Sequence, residues 1–359
     1  MAAPPRIGLV GVGTLGGRHT HALAGLAQAT APTLRFAGVH DLRPERASAA
    51  ARTHGVTAFP TLAGLIEAVD GVVIATPTIG HKDVALAVLA AGKGVFVEKP
   101  IADGTDAARA MVAAARGLPL YVGHSERFNP AVRAAASVAR RPRYIEARRL
   151  AGFSPRATDV DVVLDLMIHD IDLVLALTGE RPSRVHAIGV AVLTDSEDLA
   201  NAWLEFPSGA VAALTASRVS PERLRKLRVF EGHAYLSLDL LTGRAEAAFT
   251  DRERLAEAAR AYAQHAAHAA GAVAALPVAL PEWTDLLERR VLAVPDPGAQ
   301  PLVLELVAFA RALAPKRPGG APEAPGRFDL ATGEQGLAAL EVAEDVRRAL
   351  RERAARWPS

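Results

Sequence analysis

Apolar residues in the first third of the chain come in short runs, at residues 7–10, 34–39, 71–75, 95–97 and 120–122. Between them lie stretches with helical spacing, at 19–29, 44–53, 81–91 and 105–116. Runs this short and this apolar predict strands buried on both faces. Their regular alternation with helices predicts a parallel sheet covered on each side. Beyond residue 130 the pattern changes. Residues 161–175 are aliphatic at nearly every position except Asp161, Asp165, His169, Asp170 and Asp172, which predicts a helix buried on most sides and ended by Gly179. Strand-like alternation then returns at 184–193, 200–206, 210–217, 227–231 and 234–240, separated by turns such as Pro207-Ser208-Gly209. That spacing predicts an antiparallel meander.

The expected organisation is an α/β chain of two domains. Residues 1–123 form the parallel-sheet domain, and residues 124–359 form an α+β domain with an open, largely antiparallel sheet. Residues 250–296, with a helical piece at 255–273 and a segment at 282–290, read as an insertion, either a hairpin or a lid. Residues 315–325 are proline-rich and predict a loop. A closing helix from 333 to 353 is expected to pack back on the first domain.

Composition narrows the function classes. At 359 residues, half of them hydrophobic, the chain can bury two cores. Its 41 basic and 39 acidic residues argue against a disordered polyelectrolyte and against a nucleic-acid binder. The absence of cysteine excludes disulfides, thiol catalysis and sulfur-ligated zinc, and is compatible with the cytoplasm. No targeting segment is read at the start. The longest charge-free stretch, 261–281, is rich in alanine and broken by Pro277 and Pro281, so no membrane span is expected. Only five lysines accompany 36 arginines. Where arginine is the default cation, a lysine is worth inspecting for its chemistry.

The first candidate chemistry follows the first strand. Gly11, Gly13 and Gly16, with Thr14 and Leu15 between them, form G-x-G-x-x-G where a strand ends and a helix begins. The first glycine makes the turn, the second admits a pyrophosphate and the third lets helix pack on strand. Asp41 closes the second strand, where a carboxylate can accept from ribose hydroxyls. It favours NAD over NADP, although Arg43 could pair with a 2′-phosphate.

Two further stations lie at strand ends: Thr76-Pro77-Thr78 with His81, and Glu98-Lys99-Pro100. The succession A-T-P-T-x-x-H, then A-G-K-x-V-x-V-E-K-P, resembles the Gfo/Idh/MocA family of NAD(P)-dependent sugar and polyol oxidoreductases. The likeness spans about residues 6–130 and implies a Rossmann dinucleotide-binding domain. It adds Thr76, Pro77, His81 and Glu98 to the cofactor site, and places Lys99 beside the nicotinamide and the reacting hydroxyl.

Asp165 and His169, four residues apart, share a helix face, and Asp161 and Asp172 extend the stripe. Three uses compete for it. It could be a structural network, or a metal site built from Asp165, His169 and Asp172. It could also be acid–base chemistry, with Asp165 orienting a histidine that takes a proton near neutral pH. The resemblance favours the third, since D-x-x-x-H matches the family's catalytic motif. It implies Lys99, Asp165 and His169 as catalytic residues, without a metal. His169 would remove the hydroxyl proton as hydride leaves, and Lys99 would stabilise the alkoxide.

Arg127-Phe128-Asn129-Pro130, taken with the 162–172 segment, resembles members that act on nucleotide sugars, especially those oxidising C3 of UDP-N-acetylglucosamine. The resulting 3-keto sugar serves amination toward lipid A or surface glycans. A diphosphate calls for arginine forks, and Arg127, Arg148, Arg149, Arg156 and Arg218 are the candidates, with Asn129 beside them. Where many members carry a glycine pair, this chain has Asp161-Val162, which weakens the likeness to simple sugar or inositol dehydrogenases. Dehydrogenation of a free sugar or inositol is nevertheless one alternative. Another is an inactive relative that senses NAD and sugar, against which the retention of Lys99, Asp165 and His169 counts. The family also implies a homodimer or homotetramer built through the open sheet.

Overall fold

The computed structural model describes residues 3–153, 160–269, 286–295, 298–314 and 326–355. The predicted parallel sheet is present: β1 (Arg6–Val10), β2 (Arg35–His40), β4 (Gly71–Ile74), β5 (Gly94–Glu98) and β6 (Leu120–Gly123), joined by a two-residue β3 (Thr57–Ala58). Their order is β6-β5-β4-β1-β2-β3, all parallel. Alternate residues supply opposite faces, as pleating requires. Ile7, Leu9, Val73 and Phe96 pack toward α1 (Thr14–Ala27), α2 (Pro44–His54) and α9 (Pro301–Leu313). Val72, Ile74, Val95 and Val97 pack toward α3 (Leu62–Ala68), α4 (His81–Ala90) and α5 (Thr105–Ala115). Because β1 is flanked by β2 and β4, the connections diverge there and leave a crevice at the strand ends.

The second sheet corrects the expected meander. Its order is β14-β13-β12-β11-β7-β10-β9-β8. Strands β8 (Arg184–Val190), β9 (Leu199–Glu205) and β10 (Val211–Ser217) form one antiparallel block. Strands β11 (Leu224–Phe230), β12 (Ala234–Asp239), β13 (Arg244–Thr250) and β14 (Leu287–Val291) form another. Between them lies β7 (Tyr144–Leu150), parallel to β10 and antiparallel to β11. The sequence YIEARRL hid this central strand because three of its residues are charged. The expected insertion contributes α8 (Arg252–Ala269) and the edge strand β14, so 287–291 extend the sheet rather than forming a lid. Residues 270–285 of that segment and the loop 315–325 lie outside the described residues.

The inner face of this sheet packs on α7 (Ile168–Thr178) and α10 (Gly333–Ala354). Thr332 starts α10 with a capping box to Gln335. Helix α10 packs on α5 of the first sheet as well as on β8 and α7. It is preceded by β15 (Ala331–Thr332), antiparallel beside β6. On the outer face, Trp203, Tyr144, Phe230 and Tyr235 form a row with ring centroids 6.1, 5.6 and 4.8 Å apart. None of the helices among the described residues is long and apolar enough to cross a membrane.

Between the halves, the buried Arg149 of β7 donates through Nε and one NH2 to Asp170 (3.0 and 2.7 Å) and through the other to Glu126 (2.8 Å). Arg149→Met would leave Asp170 without its cation in the interior. The expected loss is about 3–5 kcal/mol, the usual cost of breaking a buried pair. Urea denaturation measures it, and a midpoint equal to wild type would contradict this role.

Candidate active site

The crevice opens where β1 and β4 part. Gly11, after β1, has a φ of +89°, and a Cβ there would lie 2.8 Å from the Ala75 carbonyl. Gly16 is tighter still, since its Cβ would come within 1.9 Å of the Gly11 carbonyl oxygen. These glycines let α1 begin against the strand at Thr14, well ahead of residue 19 where the apolar pattern placed it. Gly13 caps the helix without a side chain, and the first-turn N–H groups of Thr14, Leu15 and Gly16 have no intrahelical partner. Such a terminus suits a pyrophosphate.

Asp41 turns back over the cradle, with Oδ2 accepting from Val12 N at 2.8 Å and Oδ1 from Arg43 N at 2.9 Å. Each oxygen keeps a lone pair for a ribose hydroxyl. The Arg43 side chain is exposed. Across the crevice, the buried Thr76 Oγ1 has no hydrogen-bond partner among the described residues. Pro77 opens the Thr78–Gly80 turn. His81 spans the loops after β4 and β5, its ring nitrogens 3.0 Å from the Thr76 and Pro100 carbonyl oxygens. The open cradle, the ribose-side carboxylate and the orphaned hydroxyl fit NAD, which these residues would hold.

Lys99 emerges from the end of β5, and its Nζ donates to the Asp165 carbonyl oxygen at 2.7 Å and lies 3.7 Å from Asp165 Oδ1. Burial lowers the Lys99 pKa against the opposing pull of Asp165 and Glu98. His169 makes no side-chain hydrogen bond among the described residues, and its Nδ1 is buried without a partner. Burial first, then the charges on Lys99 and Arg149, push its pKa well below the ordinary histidine value. The imidazole is therefore neutral near pH 7 and free to accept a proton.

The single polar stripe resolves into separate pairs. Residues 163–167 wind as a π-turn with i→i+5 bonding before α7 begins. Asp165 faces Lys99 instead of orienting the imidazole. Asp161 accepts from the N–H groups of Val163 and Leu164 and from Arg347. Asp172 is held by Arg127 at 2.7 and 2.8 Å. Among the described residues no His, Asp or Glu cluster is arranged to hold a metal ion.

The arginines expected at a diphosphate are mostly engaged elsewhere. Arg127 is buried on Asp172 and Gln335, Arg149 on Asp170 and Glu126, and Arg218 on Asp198. Asn129 caps α6 (Pro130–Ala135) and donates to Glu126 and Leu240. Each is tied into the protein interior, where burying an arginine requires these partners. Arg148 is exposed on β7, and Arg156 lies outside the described residues.

Sequence reasoning missed a buried polar group behind Lys99. His19 Nε2 sits 2.6 Å from Glu98 Oε1. Burial would raise the Glu98 pKa, but His19 and Lys99 outweigh it and hold the carboxyl below its ordinary value. The side chains of His124 and Glu305 are buried nearby without hydrogen bonds among the described residues, and burial, then Glu98 and Asp172, raise the Glu305 pKa well above the usual range. Glu305 interrupts an otherwise apolar helix, four residues before the buried Phe309 of α9.

The sequence pattern of the Gfo/Idh/MocA oxidoreductases, with their NAD-binding Rossmann fold, matches residues 5–124, and that of the C-terminal domain of the same family matches residues 131–234. A UDP-N-acetylglucosamine 3-dehydrogenase of Acidithiobacillus ferrooxidans is 38% identical over 343 residues, covering 94% of this chain and 97% of its own. A solved structure of a protein with that name and source superposes with a TM-score of 0.80 at 33% identity, over 98% of this chain and 99% of the other. An inositol 2-dehydrogenase of Rhizobium meliloti is 34% identical over 234 residues, or 59% of this chain and 68% of that protein. This chain belongs to the Gfo/Idh/MocA family of NAD-binding oxidoreductases.

Proposed function

We propose that the chain oxidises the C3 hydroxyl of UDP-N-acetylglucosamine to the 3-keto sugar. The observation that carries the reading is an unbonded, neutral His169 beside the Lys99 ammonium at the crevice. Likeness to a UDP-N-acetylglucosamine 3-dehydrogenase along almost the whole chain supports the choice of sugar. NAD, when bound, would supply the hydride acceptor. His169 takes the hydroxyl proton in the same step. Lys99 keeps N–H donors for the developing alkoxide, because Asp165 occupies only one of its three. Asp165 thus positions Lys99, while Gly11–Gly16, Asp41 and Thr76 hold the cofactor.

In this reading residues 1–123 bind the dinucleotide and residues 124–359 bind the sugar and join subunits, with α9 and β15 returning to the first sheet. A second copy of the chain covers the outer face of the second sheet, where Trp203 and Phe230 are 41% and 37% exposed. The reaction takes place in the cytoplasm.

His169→Ala and Lys99→Met should each retain NAD binding by calorimetry while losing about 10²–10⁴-fold in kcat. Activity within tenfold of wild type in the His169 variant would sink the assignment.

The pH profile follows from the two lowered pKa values. A base is active when neutral, so the acid limb of kcat/KM should fall below the ordinary histidine value of about 6.5. The ammonium is active when charged, so the alkaline limb should fall below the ordinary lysine value of about 10.4. In Lys99→Met the removal of one depressing charge should raise the His169 pKa, as measured by NMR titration of the ring. An unmoved pKa would separate the two side chains.

Trp203→Glu with Phe230→Glu should lower the oligomeric state seen by light scattering. Unchanged mass would place the subunit contact elsewhere.

A further inference from the structure

Two large cavities open beside the crevice, one lined by Pro100 and the other by Thr14, and they differ in charge. One, of about 680 Å³, carries Asp103, Asp161 and Asp195. The arginine that lines it, Arg347, is already paired with Asp161 and Glu344. A dianion would be repelled there. The other, of about 1000 Å³, starts at Thr14 in the dinucleotide cradle. It follows the α1 face that bears Gly17, Arg18 and His21, and ends under Arg225 of β11.

This second cleft has cations to offer. Arg18 is exposed and makes no hydrogen bond or ion pair among the described residues. Arg225 donates to Glu126, whose Oε1 also takes Arg149 and whose Oε2 takes Asn129, so the carboxylate lining the cleft is already compensated. Burial and the like charge of Arg149 oppose the Arg225 guanidinium, and a bound anion would relieve that repulsion. Gly17 keeps the floor clear: a Cβ there would meet nothing within 4 Å, so packing does not demand glycine inside this helix.

Arg225 also couples the cleft to the catalytic residues. Arg225 leads through Glu126 and Arg149 to Asp170, the neighbour of His169 in the chain. Its charge is felt at the His169 ring.

We propose that this cleft is the nucleotide subsite, where Arg18 and Arg225 hold the diphosphate of the sugar nucleotide while the sugar extends to Lys99 and His169. The proposal rests on the function given above and names residues for it that neither the glycine motif nor the catalytic motif contains. Arginine suits this task through its forked donors.

The test is steady-state kinetics of Arg18→Gln and Arg225→Gln, with UDP-N-acetylglucosamine varied and UDP alone as competing probe. The KM for the sugar nucleotide and the inhibition constant of UDP should each rise about tenfold or more in either variant, as expected for loss of a charge-assisted bond. The KM for NAD should stay within about twofold, and in wild type added salt should weaken UDP inhibition. Should wild type oxidise UDP-N-acetylglucosamine while both variants keep its KM and the UDP inhibition constant, the subsite is wrong and the function stands. A rise confined to the KM for NAD puts Arg18 on the cofactor and equally overturns the subsite. If wild type neither turns over a UDP-sugar nor is inhibited by UDP, while it oxidises a free polyol, the proposed function fails first.

Discussion

A buried carboxylate must be matched by a cation, and residues 161–172 bring four aspartates to the junction of the two sheets. The partners come from four different places in the chain. Asp161 takes Arg347 of α10, Asp165 takes Lys99 at the end of β5, Asp170 takes Arg149 of β7, and Asp172 takes Arg127 of the turn after β6. Desolvation makes each unpaired alternative expensive, so the segment has few orientations open to it. Both sheets, and the residues between them, are registered against one another by these contacts.

The same arrangement sets the chemistry. His169 lies among cations that are neutralised by other residues, and no carboxylate bonds to its ring. Its proton affinity is lowered by position rather than by a dedicated partner. The family motif suggests an aspartate–histidine couple; in this chain the aspartate of that motif serves the lysine. Three of the four aspartates fill the structural role that was the plainest reading of the polar stripe. Only Asp165 stands beside Lys99.

What could be read from sequence was local. The glycine turn, Asp41 and Glu98-Lys99-Pro100 each lie at a strand end, and strand ends are marked by short-range apolar pattern. Arg149 could not be read in this way. An arginine in a strand resembles a surface residue, and its burial is decided by Asp170 and Glu126, which the chain brings up from elsewhere. The π-turn at 163–167 leaves no mark in the aliphatic pattern, which reads as one regular helix. Arg18 and Arg225 lie far apart in sequence and share a cleft only once α1 faces β11, so no motif contains them both. Strand β7 was hidden for a related reason, since its inward arginine broke the alternation that marks a half-buried strand.

The first sheet is completed by residues remote from it in sequence. Phe309 of α9 packs on Phe96, Leu313 lies over Gly71 and Gly94, and β15 adds a strand beside β6. During synthesis, the strands that carry the glycine cradle would leave the ribosome long before these covers exist. At about 5–20 residues per second the gap is on the order of tens of seconds. Over that interval the nascent chain exposes the apolar side of β4 and β5, a surface that chaperones recognise. The glycine cradle is thus complete in sequence long before the sheet behind it is covered.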